Sequence, residues 1–170
     1  LIRTDKDGNK QWEKSFNKGD MLSASSLQES SDGGYIYCGK EDALNHNGGA
    51  YILKLDSSGN KEWDKTYGKK ELTSALTISA TSDGGYMLFG EMGTFEDDYY
   101  STYLMKADPQ GSELWKKDLG TLPTSIVLRA SDGGYLLVAP SLQSRESLHE
   151  MDYDVLLVKI DKDGNKKWEK

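Results

Sequence analysis

The chain has 170 residues, of which 36% are hydrophobic and 10% aromatic, enough for one folded domain with its own core. A net charge of −7 and a pI near 4.9, with Lys and Arg scattered singly, argue against a nucleic-acid partner, and no apolar run approaches the roughly 20 residues of a membrane-spanning helix. The single cysteine, Cys38, excludes an internal disulfide and leaves the redox compartment undetermined.

Leu1 to Phe16 reads as two short strands joined by the turn Asp5 to Gly8, with Trp12 on the second. Three longer units follow, at 17–68, 69–120 and 121–170. Each carries the stretch Ser-Asp-Gly-Gly-Tyr, at Ser31 to Tyr35, Ser82 to Tyr86 and Ser131 to Tyr135, with starts 51 and 49 residues apart. A period of this size marks a repeat architecture. Trp12, Trp63, Trp115 and Trp168 keep the same rhythm, each after an Asp-x-x-Gly turn. The decapeptides Asp5 to Lys14 and Asp161 to Lys170 differ at one position, so the chain ends in phase with its beginning.

Between these markers, runs of Tyr and branched or long apolar residues are broken by Gly, Asp, Asn and Ser, a β pattern with no sustained helical period. Each unit resolves into four strands, which in the middle unit are Ser74 to Thr81, Gly85 to Gly90, Thr102 to Asp108 and Glu113 to Leu119. The first two are joined by the Ser-Asp-Gly-Gly turn. There Asp32, Asp83 and Asp132 bond forward to the backbone, and Gly33, Gly84 and Gly133 accept positive φ. The third and fourth are joined by the Asp-x-x-Gly turn. The remaining connections are longer, and the one between the second and third strands grows from Lys40–Gly49 through Glu91–Ser101 to Pro140–Asp154. An up-and-down unit therefore has a uniform end of near turns and a diverse end of far loops.

The second strand is apolar on both sides (Tyr35 to Cys38, Tyr86 to Phe89, Tyr135 to Val138), as an inner strand covered on both faces should be. Four-stranded antiparallel sheets of about 50 residues, covered on both faces and repeated, pack best radially, as the blades of a β-propeller. The expectation is an all-β chain forming a single repeat domain over 1–170, with a half blade at 1–16 and three blades after it. Closed propellers hold four to eight blades. Partners are therefore expected to be the remaining blades of a longer chain or another copy.

The string Tyr51 to Trp63 (YILKLDSSGNKEW), taken with the following Ser-Asp-Gly-Gly-Tyr, resembles the repeat of secreted and lipoprotein β-propellers of bacteria and archaea that are rich in Asp-Gly-Gly-Tyr. The likeness covers the whole chain. Its Leu-Asp-x-x-Gly-x-x-x-Trp portion is also similar to the tryptophan-docking blade motif of pyrroloquinoline quinone dehydrogenases and their non-catalytic relatives, a packing motif rather than an active site. The resemblance implies an extracellular or cell-surface location and a binding or scaffold role. A quinoprotein dehydrogenase fragment is a further alternative that it raises.

Repetition assigns most of the chemistry-bearing residues to structure, because a reaction needs one site whereas packing needs the same contact in every unit. The four tryptophans read as contacts between blades. Arg3, Lys54, Lys106 and Lys159 each precede a turn Asp by two residues, and an ion pair to an adjacent blade is expected, with the Asp of the Ser-Asp-Gly-Gly turn as partner. The turns at Asp5 and Asp161 resemble the start of a calcium loop but lack its distal Glu, and are read as hairpins, leaving calcium as the one ion the chain hints at. Cys38 shares its register with Phe89 and Val138 and reads as a core filler. With His46 and His149 the only histidines, neither a zinc site nor a Ser-His-Asp triad has an anchor.

The far loops remain. Glu96, Asp97, Asp98, Tyr99 and Tyr100 in one, and His149, Asp152 and Tyr153 in the next, interleave acids with rings as a site for a carbohydrate, a divalent ion or a protein ligand would. The same residues equally make a solvated acidic surface. A carbohydrate-active enzyme would need two of these carboxyls about 5 to 10 Å apart.

Overall fold

The computed structural model describes residues 1–16, 21–42, 49–68, 73–93, 100–122, 126–147 and 150–170. Among these residues the chain is all-β, with no helix. β1 (Ile2–Thr4) and β2 (Lys10–Glu13) form a two-stranded sheet. Three four-stranded sheets follow. The first is β3 (Met21–Glu29), β4 (Tyr35–Asp42), β5 (Gly49–Leu55) and β6 (Lys61–Tyr67), and the second is β7 (Ser74–Ala80), β8 (Tyr86–Gly93), β9 (Tyr100–Ala107) and β10 (Glu113–Asp118). The third is β11 (Ile126–Arg129), β12 (Tyr135–Ser147), β13 (Glu150–Ile160) and β14 (Lys166–Glu169). Every sheet is an antiparallel meander in chain order. Hairpins as short as these two turn types leave no room for any other order.

The sheets stack face to face, and period-2 alternation sends each strand's side chains alternately to the sheet before and the sheet after. Ile36, Cys38 and Ile52 of the first four-stranded sheet meet Ile78, Tyr86, Leu88 and Met105 of the second. Met87, Phe89 and Leu104 on the opposite face of the second meet Tyr135, Leu137, Val158 and Ile160 of the third. Tyr51, Leu53 and Leu55 pack with Phe16. Strand β8 is therefore buried on both faces, as its uninterrupted apolar run requires.

The two ends of the stack differ from its middle. Leu27 and Ile78 occupy the same place in successive sheets, yet Leu27 is 48% exposed and Ile78 is fully buried. The sheet before Leu27 has two strands where the sheet before Ile78 has four. At the other end Ile126, Leu128, Val155 and Trp168 are exposed on the outer face of the last sheet.

One expected loop is instead strand. Pro140 to Ser147 and Glu150 to Asp154 belong to the long strands β12 and β13, paired from Pro140↔Val155 to Ser147↔Glu150. Pairing continues past the proline through Ser141↔Asp154 and Leu142↔Tyr153, shifts register between Leu142 and Ser144, and Pro140 sits inside β12 without ending it.

Candidate functional site

The uniform end of each four-stranded sheet holds one charged cluster, built on the Ser-Asp-Gly-Gly hairpin. In the first, Gly33 takes φ +78° so that its N–H can donate to Ser30 O at 3.0 Å. Asp32 Oδ1 then accepts the Gly34 N–H at 3.0 Å and the Ser30 hydroxyl at 2.6 Å, while Oδ2 lies 2.8 Å from Lys54 Nζ. Lys54, 3% exposed, also donates to Leu55 O at 3.0 Å and Glu62 Oε2 at 2.8 Å. The second sheet repeats this with Asp83, Gly85, Thr81 and Lys106, whose Nζ is 2.8 Å from Asp83. In the third, Lys159 is 2.7 Å from Asp132, and Ala130 stands where the hydroxyl was.

These lysines pair within their own sheet, not with an adjacent one as the spacing alone suggested. Lys54 stands opposite Ile36, two residues beyond Gly34, so its stem reaches the mouth of the turn beside it. Arg3, whose sheet lacks such a turn, donates instead to Ser57 O of the following sheet at 3.0 Å.

The electrostatics of the cluster are those of a clamp. The Lys54 amine holds the Asp32 carboxyl well below the ordinary value of 3.8, the Ser30 hydroxyl adds to this, and burial opposes it. Lys106 and Thr81 do the same for Asp83. Burial disfavours the charge on Lys54, but Asp32 and Glu62 outweigh that cost and leave its pKa raised, so the amine stays protonated and is neither base nor nucleophile. A carboxyl depressed in this way stabilises the fold at any pH above its unfolded value of about 3.9, and the contribution is lost as the pH falls below that toward the folded value. Thermal midpoints are therefore expected to drop between about pH 4 and pH 2. A double variant Asp32→Asn, Asp83→Asn is expected to start lower at neutral pH and to lose less over that interval, which a calorimetric pH series measures.

The Asp-x-x-Gly turns use their carboxylates to close the hairpin. Asp5 Oδ1 accepts the N–H groups of Asp7 and Asn9 at 2.9 Å each, and Oδ2 accepts the Asn9 amide at 3.0 Å. Asp56 and Asp161 repeat the arrangement with Asn60 and Asn165. These hydrogen bonds hold the pKa of Asp5, Asp56 and Asp161 below the ordinary value. No group of three His, Cys, Asp or Glu suited to a metal occurs among the described residues. Cys38 is fully buried, and burial pushes its thiol up to about 12, far from a reactive thiolate.

The tryptophans join one sheet to the next. Trp12 meets Tyr35 edge-on at 5.8 Å and Trp63 meets Tyr86 at 5.9 Å, while Trp115 packs in one cluster with Tyr135. Each ring also covers a turn glycine of the following sheet. A methyl group on Gly59, Gly111 or Gly164 would lie 3.1, 2.7 or 3.1 Å from the ring of Trp12, Trp63 or Trp115. A second contact went unread in the sequence. The lysine two residues after each Trp crosses to the polar residue after that glycine: Lys14 to Asn60 at 3.2 Å, Lys65 to Ser112 at 3.2 Å and Lys117 to Asn165 at 2.8 Å. Its signal was the same repetition that revealed the tryptophans.

A cavity of about 510 Å³ opens between β10 and the β13–β14 hairpin, lined by Leu119, Leu122, Val158 and Ile160 with Lys117 and Glu169 at its rim. Four residues after Trp12 and Trp63 stand Phe16 and Tyr67, and the Tyr67 hydroxyl donates to Gly111 O of the next sheet; the counterpart after Trp115 is the smaller Leu119. Leu119→Tyr is expected to supply the hydroxyl contact to the next sheet that Tyr67 makes and to raise stability by about 0.5 to 2 kcal/mol in denaturant titration.

Of the far-loop candidates, Glu96, Asp97, Asp98, Tyr99, His46 and His149 lie outside the described residues. Tyr100 opens β9 opposite Gly93. Asp152 and Tyr153 belong to β13, opposite Ser144 and Leu142, and so stand on a sheet rather than in a loop. No protein-family model matches the chain, and no curated protein is significantly similar to it.

Proposed function

We propose that the chain is a β-propeller-type binding or scaffold module, with four-stranded blades, working outside the cell or at its surface and without catalysis of its own. Any ligand, a carbohydrate or a protein segment, is met by the far-loop end of the sheets, where Glu96, Asp97, Asp98 and Tyr99 lie in sequence. The observation that supports this reading is the aspartate–lysine pair that recurs at the other end of all three four-stranded sheets. The residues best suited to acid–base work are spent there on register, three times over, and the amine of Lys54 is held protonated.

The test is to screen the chain for binding on a glycan array while assaying a polysaccharide panel for released reducing ends. Binding without turnover, lost in a variant with Glu96, Asp97 and Asp98 changed to alanine but retained in Asp83→Asn, is the expected result. Release of reducing ends that a single far-loop carboxyl substitution abolishes would replace this reading with a glycoside hydrolase.

A further inference from the structure

At the uniform end, one junction between four-stranded sheets departs from the repeat. Between the first and second sheets, the residue paired with Tyr86 is Ala80, and the turn residue facing Gly84 is Pro109. Between the second and third sheets the same places hold cations: Arg129 is paired with Tyr135, and Lys162 faces Gly133. An acid is lost as well. Lys54 is held by both Asp32 and Glu62, whereas Leu114 stands where Glu62 would serve Lys106, which pairs with Asp83.

These changes meet in a cavity of about 150 Å³ between the second and third sheets, lined by Lys106, Arg129 and Lys162, by the carboxylates of Asp83 and Asp163, and by Tyr135. Both carboxylates are already engaged. Asp83 accepts from Lys106 at 2.8 Å and from the Gly85 N–H at 3.1 Å, and Asp163 lies 2.9 Å from Lys162, which is exposed at the rim. Arg129 donates through Nη1 to Ala80 O at 2.9 Å, which anchors the guanidinium across the junction and leaves the rest of its fork unpaired among the described residues. Tyr135 is 1% exposed, and its hydroxyl is buried with no hydrogen-bond partner among those residues. Burial raises its pKa, and Ser79 and Arg129 lower it without reaching hydrogen-bond geometry, so the hydroxyl lies beside them. A buried donor without a partner is destabilising, and a ligand that accepts from it relieves that cost.

We propose that this cavity binds a tetrahedral oxyanion, a phosphate or sulfate, free or carried as an ester. The Arg129 fork and the Lys162 ammonium pair with its charge, and the Tyr135 hydroxyl donates to one of its oxygens. Three cations against two engaged carboxylates favour an anion. A tetrahedral ion is favoured over a carboxylate because it has oxygens enough for a guanidinium fork, an ammonium and a hydroxyl together. Packing repeats in every unit, whereas this set of side chains occurs at one junction, as a ligand site does. It lies at the opposite end of the sheets from the far loops, so its failure would leave that reading standing.

The test is a phosphate titration of the 170-residue chain, followed through the amide resonances of Gly133, Gly134 and Tyr135 and set against chloride of equal ionic strength. Saturable shifts in phosphate alone are expected. The double variant Arg129→Ala, Lys162→Pro gives this junction the residues that Ala80 and Pro109 supply to the one before, so it is expected to fold and to bind phosphate at least about tenfold more weakly. Tyr135→Phe removes only the unpartnered hydroxyl. It is expected to fold as the wild type does and to lose about tenfold in affinity, the factor carried by one hydrogen bond to a charged group. A sugar phosphate that saturates the same resonances at lower concentration than inorganic phosphate assigns the site to an ester, and the reverse order assigns it to the free ion. Wild-type shifts no larger in phosphate than in chloride overturn the proposal, and so does undiminished binding by either variant.

Discussion

Trp63→Ala is expected to destabilise the protein by about 3 to 5 kcal/mol, the range for removing a large aromatic side chain from a packed interface. The ring fills the junction between the first two four-stranded sheets, edge-on to Tyr86 and flat against Gly111, so nothing of the right shape remains to collapse into the space. The Lys65 to Ser112 contact at 3.2 Å, which flanks the ring, loses its support as well. In a stacked array each sheet is stabilised by its neighbours, so the loss falls on the coupling between sheets as much as on one sheet's own stability. Urea titration followed by circular dichroism is expected to show a lower midpoint and a broader transition. Trp168→Ala is the internal control: the same motif residue, exposed in this chain, should change stability by no more than about 0.5 kcal/mol. Equal effects at the two positions would contradict the docking geometry.

Phe89→Ala is expected to cost about as much, roughly 3 to 5 kcal/mol, through a different junction. Phe89 is fully buried on the face of β8 that meets the third four-stranded sheet, with its ring 5.1 Å from that of Tyr135. The corresponding residue of the first four-stranded sheet is Cys38, also fully buried, which shows that the position accepts a smaller side chain when the opposing sheet is shaped to meet it. Phe89→Cys is therefore expected to remain costly, because Tyr135 and Leu137 are set for a ring. In the double variant Trp63→Ala, Phe89→Ala the two losses should add to within about 0.5 kcal/mol, since they fall in the junctions on opposite sides of the second four-stranded sheet. A large departure from additivity would show that the sheet moves as a unit.

Much of the architecture was legible in the chain itself. The Ser-Asp-Gly-Gly and Asp-x-x-Gly turns specify short hairpins through residues only a few positions apart, and the apolar runs between them specify strands. Local chemistry therefore set the meander of each sheet. The in-register placement of Cys38 beside Phe89 and Val138 likewise foretold a buried, unreactive thiol, because alternation along a strand fixes the face a side chain takes. The far-loop site was not legible to the same degree. Asp152 and Tyr153 were expected in a loop and lie on a strand, since proline at 140 weakens a strand signal locally while cross-strand pairing sustains it over the whole hairpin.

Sequence alone thus determined the strands, their turns and the positions that repeat. Only the tertiary structure decided which equivalent positions are covered. Leu27 and Ile78, or Trp168 and Trp63, are indistinguishable by pattern, and their different burial comes from whether a neighbouring sheet is present to exclude water. The partner of Lys54 was likewise a matter of register, set by the pairing of Ile36 with Lys54 across two strands. Periodicity encodes the face a side chain takes, while packing between sheets sets what meets it there.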